Sequence, residues 1–389
     1  MRAVLTILAI WCAGLGAAAQ FGKISILYKD LEAHYAGAGP IGIGLMVSIV
    51  GIVGLVFGTS AGLAVTRIGP RRAILAALAL GAAASLVQSV LPPYPVMMLT
   101  RVLEGASHLA IVVVGPTAIA AVAPPRLQPA AMTLWSSFFG LTYAVLAWVA
   151  PPLVAFGGDA LLFQAHGIWM ALCLVLLAYL MPRDVAPTGP TRRGSILAQH
   201  LAIYASAHVA APAMGFVFYT VTYVALLTLL PGVVSPGWGG FIAVAMPLVS
   251  IGVSLSLGVW LLGRMTAVQL VQAGFALGIG AAVALWLAWG SGAAEATAAF
   301  VLAAAVGLVQ GASFAALAQL NPLPEDRARA AGAIAQLGNL GTTSGTPILA
   351  LVLGRFGVNG LAVFLIFFFA CGVAVHALLA RRRVAAGRG

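Results

Sequence analysis

"MLTRVLEGASHLAIVV", residues 98–113, places Arg101, Glu104 and His108 inside a run that is otherwise almost wholly apolar. Residues at i, i+3 and i+7 of a helix project onto one face, so the three ionisable groups form a single stripe. What that stripe means depends on the solvent around it. The chain has 389 residues, of which 62% are hydrophobic and 7% charged, and its mean hydropathy is +1.09. A soluble domain carries about 25% charged residues. A chain this poor in charge cannot cover itself with a polar surface, so lipid is the expected solvent.

Outward from this stretch, the sequence divides into segments of bilayer length, about 20 apolar residues each. Twelve are expected, at 5–28, 41–64, 73–92, 96–121, 130–156, 162–181, 202–230, 239–262, 268–290, 296–320, 331–354 and 358–380. They are too long for strands and do not alternate, which predicts an all-α integral membrane protein. The first segment follows Arg2 and carries an Ala-x-Ala pattern, as a cleavable signal peptide would. Its apolar character resumes through "FGKISILY", so it reads as a retained first helix. The longest polar interruption, "MPRDVAPTGPTRRGSILAQH" at 181–200, parts the chain into two halves of six helices. The expected domains are an N-terminal bundle at 1–181, a cytoplasmic linker at 182–200, a C-terminal bundle at 201–380 and a basic tail at 381–389.

The formal charge is +11 and the pI about 10.3, values that also suit nucleic-acid binding. The positions of the charges decide against that. With both termini in the cytoplasm, fifteen of the 19 basic residues fall on the inner side. Lys29 and Arg355 fall outside, and Lys23 and Arg101 lie within spans. This is the positive-inside pattern, and it supports an even helix count and a multi-pass protein of the inner membrane. Cys12, Cys173 and Cys371 lie in apolar runs without metal-ligand spacing, so they read as small packing residues, and no metal or cofactor is expected.

The halves echo each other. "EGAS" at 104–107 recurs as "QGAS" at 310–313, "LALGAAASL" at 78–86 resembles "FALGIGAAVAL" at 275–285, and "RLQPAAMT" at 126–133 resembles "RARAAGAI" at 327–334. Three matches in the same order suggest a duplicated six-helix unit.

On two motifs the chain resembles the major facilitator superfamily of secondary transporters. "GLAVTRIGPRR", 62–72, is similar to that family's signature between helices two and three, through Gly62, Arg67, Gly69, Arg71 and Arg72. "RVLEG", 101–105, is similar to its Arg-x-x-Gln/Glu-Gly motif in helix four. The resemblance implies two pseudo-symmetric six-helix bundles, a monomer, and transport by alternating access around a midplane site. It also implies that helices one and four line a central cavity. The chain departs from the signature where the family's acidic residue is replaced by Thr66, so the resemblance leaves the cytoplasmic gate to rest on something else. The exporter pattern Gly-x-x-x-Gly-Pro is absent from "FFGLTYAVLAWVAPP", 138–152, which leans towards uptake.

The stripe in helix four now has a reading. At about 1.5 Å per residue, Arg101 lies roughly 7 Å below the outer boundary, Glu104 about 12 Å and His108 about 18 Å, with Lys23 on helix one also roughly 7 Å deep. Each such charge costs about 2.5–3.5 kcal/mol at the centre of a membrane helix, so the groups must face a wet cavity or one another. Glu104 has two cationic candidates, Arg101 and Lys23. One reading makes their pairing a pin between helices one and four. The other makes Glu104 a switchable carboxylate whose protonation frees a cation for substrate, with His108 either relaying a proton or bonded to a neighbouring helix. Gln20, Gln310, Tyr143, Tyr219, Tyr223 and Asn339 are further candidates for contact with a solute, each also readable as helix packing. The expected function is a secondary transporter moving a small polar or anionic organic solute, with protons as the coupling ion. A drug or metabolite exporter on the same fold is the alternative. An enzyme is not expected, since the spans hold one carboxylate and no catalytic motif, and no loop is long enough for a signalling domain.

Overall fold

A helix of 43 residues would extend about 65 Å at 1.5 Å per residue, roughly twice the thickness of a bilayer core. The computed structural model of the chain, which describes residues 2–58, 61, 65, 68–124, 127, 131, 134–135, 137–184 and 196–386, contains two such overlong helical stretches. Both are broken by glycine. Phe138–Leu180 turns at Gly157 and Gly158, the latter at φ 69°. Pro324–Ala386 turns at Gly357, at φ 55°. A side chain with a Cβ is disfavoured at positive φ, so glycine is what allows the chain to reverse there without a long loop.

Taking each broken stretch as two limbs, the described residues form twelve spans. These are α1 (Arg2–Ile26), α2 (the bent pair Ala36–Ser48 and Gly51–Phe57), α3 (Pro70–Gln88) and α4 (Tyr94–Val122). The limbs of Phe138–Leu180 are α5 and α6. There follow α7 (Ala211–Leu229), α8 (Gly239–Leu262), α9 (Ala267–Leu287) and α10 (Ala293–Leu320), and the limbs of Pro324–Ala386 are α11 and α12. Every one of the twelve expected segments has its helix. No strand occurs among the described residues.

Contacts sort the chain into two units. One comprises Met1–Gly39 with Ile49–Thr191, the other Pro40–Ser48 with Arg192–Gly389. Within the first unit α1 packs on α4, α5 and α6, and α3 packs on α4 and α6. Within the second, α7 packs on α11 and α12, α9 on α10 and α12, and α8 on α10. Lipid gives helices no hydrophobic reason to associate, so small residues that let backbones approach do the joining.

The sequence echoes mark equivalent joints. Gly105 of "EGAS" lies against the backbone of Val50 on α2, and Gly311 of "QGAS" lies against Ser254 on α8. Gly81 on α3 faces Met170 on α6, and its counterpart Gly278 on α9 faces Phe369 on α12. Second helix to fourth and third to sixth, each unit uses a glycine at the same step.

The crossing of α7 and α11 is equally tight, since a Cβ on Gly345 would strike the carbonyl of Val221. Gly345→Val is expected to destabilise the protein by about 1–3 kcal/mol through overpacking. Gly280→Ala, at an exposed site with nothing within 4 Å, is expected to stay within about 0.5 kcal/mol of the parent. Thermal unfolding in detergent compares the two, and equal effects would contradict this account of the crossing.

Candidate functional site

The middle of α1, residues 13–19, is rich in small residues, and these set the geometry of the site. Gly16 has Met170 and Trp169 of α6 where a side chain would be, which brings α6 close enough for His166 Nε2 to reach the Gly16 carbonyl at 2.9 Å. Gly81 leaves room on α3 for Gln20 of α1, Ser107 of α4 and Met170 of α6. Close approach of the four backbones makes their polar side chains converge on Lys23.

The Lys23 ammonium has three N–H donors. It donates to Glu104 Oε1 at 2.6 Å and to Ser85 Oγ at 2.8 Å, and it lies 3.1 Å from His166 Nδ1. The aromatic face of Phe163 lies 5.3 Å away. The carboxylate of Glu104 is held on its other side by Arg101, one turn earlier on α4, and by Gln88 Nε2 at 2.8 Å. Gln88 also donates to Thr100 Oγ1 at 2.9 Å.

Donor and acceptor roles follow from the partners. The Gly16 carbonyl can only accept, so His166 carries its hydrogen on Nε2. Nδ1 then offers a lone pair to Lys23. Ser85 spends its hydroxyl hydrogen on the Phe163 carbonyl at 2.8 Å, so its oxygen accepts from Lys23. Each donor of the ammonium thus meets an acceptor. Lys23, Arg101 and Glu104 are all fully buried, at 0% exposure. Two cations and one carboxylate, with a neutral His166, leave the cluster at a net charge of +1.

The remaining candidates separate into those beside the cluster and those elsewhere. Gln20 lies one layer away, donating to Ser107 Oγ at 2.9 Å. Tyr143 on α5 has its hydroxyl 3.1 Å from Ser25 Oγ and its ring stacked on Phe139. His108 stays out of the ionic cluster: its Nδ1 is 3.0 Å from the Ala17 carbonyl and its ring meets the edge of Phe21, so it is bonded to the neighbouring helix. In the second unit, Tyr219 and Tyr223 stack at 5.0 Å and are buried. Asn339 donates to its own helix at Ala335, and Gln310 is half-buried on α10.

Of the signature loop, Gly62 and Arg67, with Thr66, lie outside the described residues. Gly69, Arg71 and Arg72 are described, and a carboxylate does stand at this corner. It is Asp184, from just beyond α6. Its two oxygens accept from the backbone N–H groups of Arg71 at 2.9 Å and Arg72 at 3.0 Å. These are orphan donors in the first turn of α3, where the helix dipole also favours negative charge. Gly69 leaves the space that Asp184 fills, and the Arg71 guanidinium reaches back to the Ala178 carbonyl at 2.6 Å.

Reading the sequence for candidates passed over Ser85, Gln88, His166 and Asp184. The first three were visible by the rule that singled out Glu104, since a polar group inside a membrane span needs a partner or a purpose. Asp184 had no such signal, because a carboxylate in a polar loop is ordinary. Among the described residues, no group of three or more His, Cys, Asp or Glu side chains could hold a metal ion.

The charge balance predicts an order of stabilities. Lys23→Met leaves Glu104 paired with Arg101, whereas Glu104→Gln removes the carboxylate that both buried cations share. Glu104→Gln is therefore expected to be the more destabilising, by about 3–5 kcal/mol relative to the parent. Adding Lys23→Met to it should recover part of that loss. Thermal unfolding of the parent and three variants in detergent gives the order, and a reversed one would contradict the charge assignment.

Comparison with known proteins agrees with this architecture. The sequence profile of the Major Facilitator Superfamily matches residues 6–346. No curated protein matches the sequence. Among solved structures, a bacterial homolog to the human lysosomal transporter Spinster, inward-facing and unoccupied, aligns with a TM-score of 0.78 at 12% identity, covering 98% of this chain and 97% of that one. A D-xylose-proton symporter aligns at 0.77 and 16% identity, with 97% of each chain covered. At such identities the likeness is one of fold. Twelve spans, arranged as in these transporters and matched by the family profile over most of their length, place the chain in the Major Facilitator Superfamily as a multi-pass membrane transporter.

Proposed function

We propose that this transporter takes up a small anionic or polar organic solute by alternating access, driven by the proton gradient across the inner membrane, with both termini in the cytoplasm. The observation that carries the reading is the buried Lys23–Glu104–Arg101 cluster with its excess positive charge. A pin between two helices needs one cation and one anion. The second cation gives the cluster an attraction for a carboxylate or similar group.

Protonation strengthens that attraction. With Glu104 ionised the cluster stands at +1, and with Glu104 neutral it stands at +2. Proton and anion therefore favour each other's binding, and by linkage the effect is reciprocal. A carrier whose two ligands bind together in this way is a symporter. The name of the D-xylose-proton symporter is in keeping with proton coupling on this fold. Orientation rests on the arginine distribution, which favours an inner location for the end of α3 that holds Arg71 and Arg72. The chemistry of the cluster, charged side chains paired with one another inside the helices, is that of ion binding and supports a carrier.

A thermal-shift screen of the purified protein against small organic anions identifies the solute. In proteoliposomes with an imposed gradient of about one pH unit, the parent is then expected to accumulate that solute about tenfold for one proton carried, since a factor of ten corresponds to about 1.4 kcal/mol. Glu104→Gln should equilibrate the solute without accumulating it. Full accumulation that still follows the proton gradient in this variant would remove Glu104 from the coupling.

A further inference from the structure

His166 has no role in the reading so far, yet it completes the coordination of Lys23. It sits on α6 and faces charged groups on two other helices: Lys23 on α1, and Glu104 with Arg101 on α4. From α3 the facing group is the neutral Ser85, 2.9 Å from Nδ1. On its far side, Nε2 is committed to the Gly16 carbonyl. His166 is 6% exposed and so shares the sealed environment of the cluster.

The contact between Nδ1 and Ser85 Oγ holds no hydrogen in this state. The Ser85 hydrogen points to the Phe163 carbonyl, and the single Nδ1 lone pair faces Lys23 Nζ and Ser85 Oγ, which lie side by side 2.8 Å apart. Two acceptors at 2.9 Å with nothing between them form a seat for one proton. We propose that His166 is a second proton seat of the transporter, and that filling it releases Lys23 to bind the anionic solute. The inference rests on the anion-symport reading above and adds to it the residue that controls Lys23.

The step balances simply. A proton from water adds to the Nδ1 lone pair, and the imidazolium donates its new N–H to Ser85 Oγ, which still has an unused lone pair. Lys23 loses an acceptor and gains a cation 3.1 Å away. It keeps Glu104, and its third N–H turns from His166 to an incoming anionic group. No bond to carbon forms or breaks, and the charge of the cluster rises by one. When the anion leaves, Lys23 returns to Nδ1 and the proton is expelled. His166 is thus a positioning residue, acting on the solute through Lys23.

The test needs no knowledge of the solute. The chain has six histidines, few enough for histidine-selective 15N solid-state NMR of the full-length protein in lipid, with the His166 signal assigned by its loss in His166→Gln. In the parent at pH 8 the ring is expected as the Nε2–H tautomer, and at pH 6 under a tenth of it should be doubly protonated. In Lys23→Met at pH 6 at least half should be doubly protonated, a change of about tenfold or more in proton affinity, corresponding to about one pH unit. Lys23→Gln makes the same measurement with a hydrogen-bonding side chain, in case the apolar variant does not fold. An Nδ1–H tautomer in the parent, or the same titration with and without Lys23, would overturn the proposal. Because this readout is independent of transport, a retained Lys23–His166 linkage alongside proton-driven accumulation in Glu104→Gln would reject the carboxylate's role and leave the histidine's standing.

Discussion

An ammonium group shut away from water must find three acceptors, and the arrangement of the first unit follows from meeting that demand at Lys23. Its acceptors come from three other helices: Ser85 on α3, Glu104 on α4 and His166 on α6. Losing any one of them leaves a donor unmatched in surroundings where that costs about 1–3 kcal/mol. The requirement therefore fixes helix rotation and depth more sharply than apolar packing does, since leucine against leucine tolerates small slips. The same centre that aligns the helices carries the charge that gives the transporter its proposed affinity for anions. In the proposed mechanism the side chains that join the helices are also those that bind the anion.

Small residues make this convergence possible. A long polar side chain can meet a partner across a helix pair only if the backbones stand close, and Gly16 and Gly81 supply that closeness around Lys23. The second unit repeats the joints at Gly311 and Gly278 but not the charges: "QGAS" has Gln310 where "EGAS" has Glu104. The two units share these glycine joints and differ in polar content. In the second unit α7 carries a buried pair of stacked aromatic rings, Tyr219 on Tyr223.

At the opposite end of α3, Asp184 supplies a carboxylate to the first turn of the helix. The signature loop offers Thr66 where a carboxylate is expected. The helix that follows still has unpaired N–H groups and a positive dipole end, and a carboxylate arriving from beyond α6 satisfies them. The chemical need belongs to the helix terminus, so the residue meeting it is free to come from elsewhere in the chain.

Composition and periodicity made the fold legible. Twelve apolar runs of bilayer length have no alternative structure in lipid, because only a helix satisfies its own backbone there. The motifs at 62–72 and 101–105 carry the family resemblance, and the cost of charge in hydrocarbon makes Glu104, Arg101 and Lys23 partners. Those inferences are local, or depend on energies so large that few arrangements survive. What the string of residues could not express is which faces meet. His108 shares a helical stripe with Glu104 yet turns to the Ala17 carbonyl, while His166, distant in sequence, lies against Lys23. Ser85, Gln88 and Asp184 likewise gained their roles from neighbours brought by other helices. Hydrogen bonds act over about 3 Å, and at that range the approach of backbones, set by glycines and side-chain volumes across the whole unit, chooses each partner.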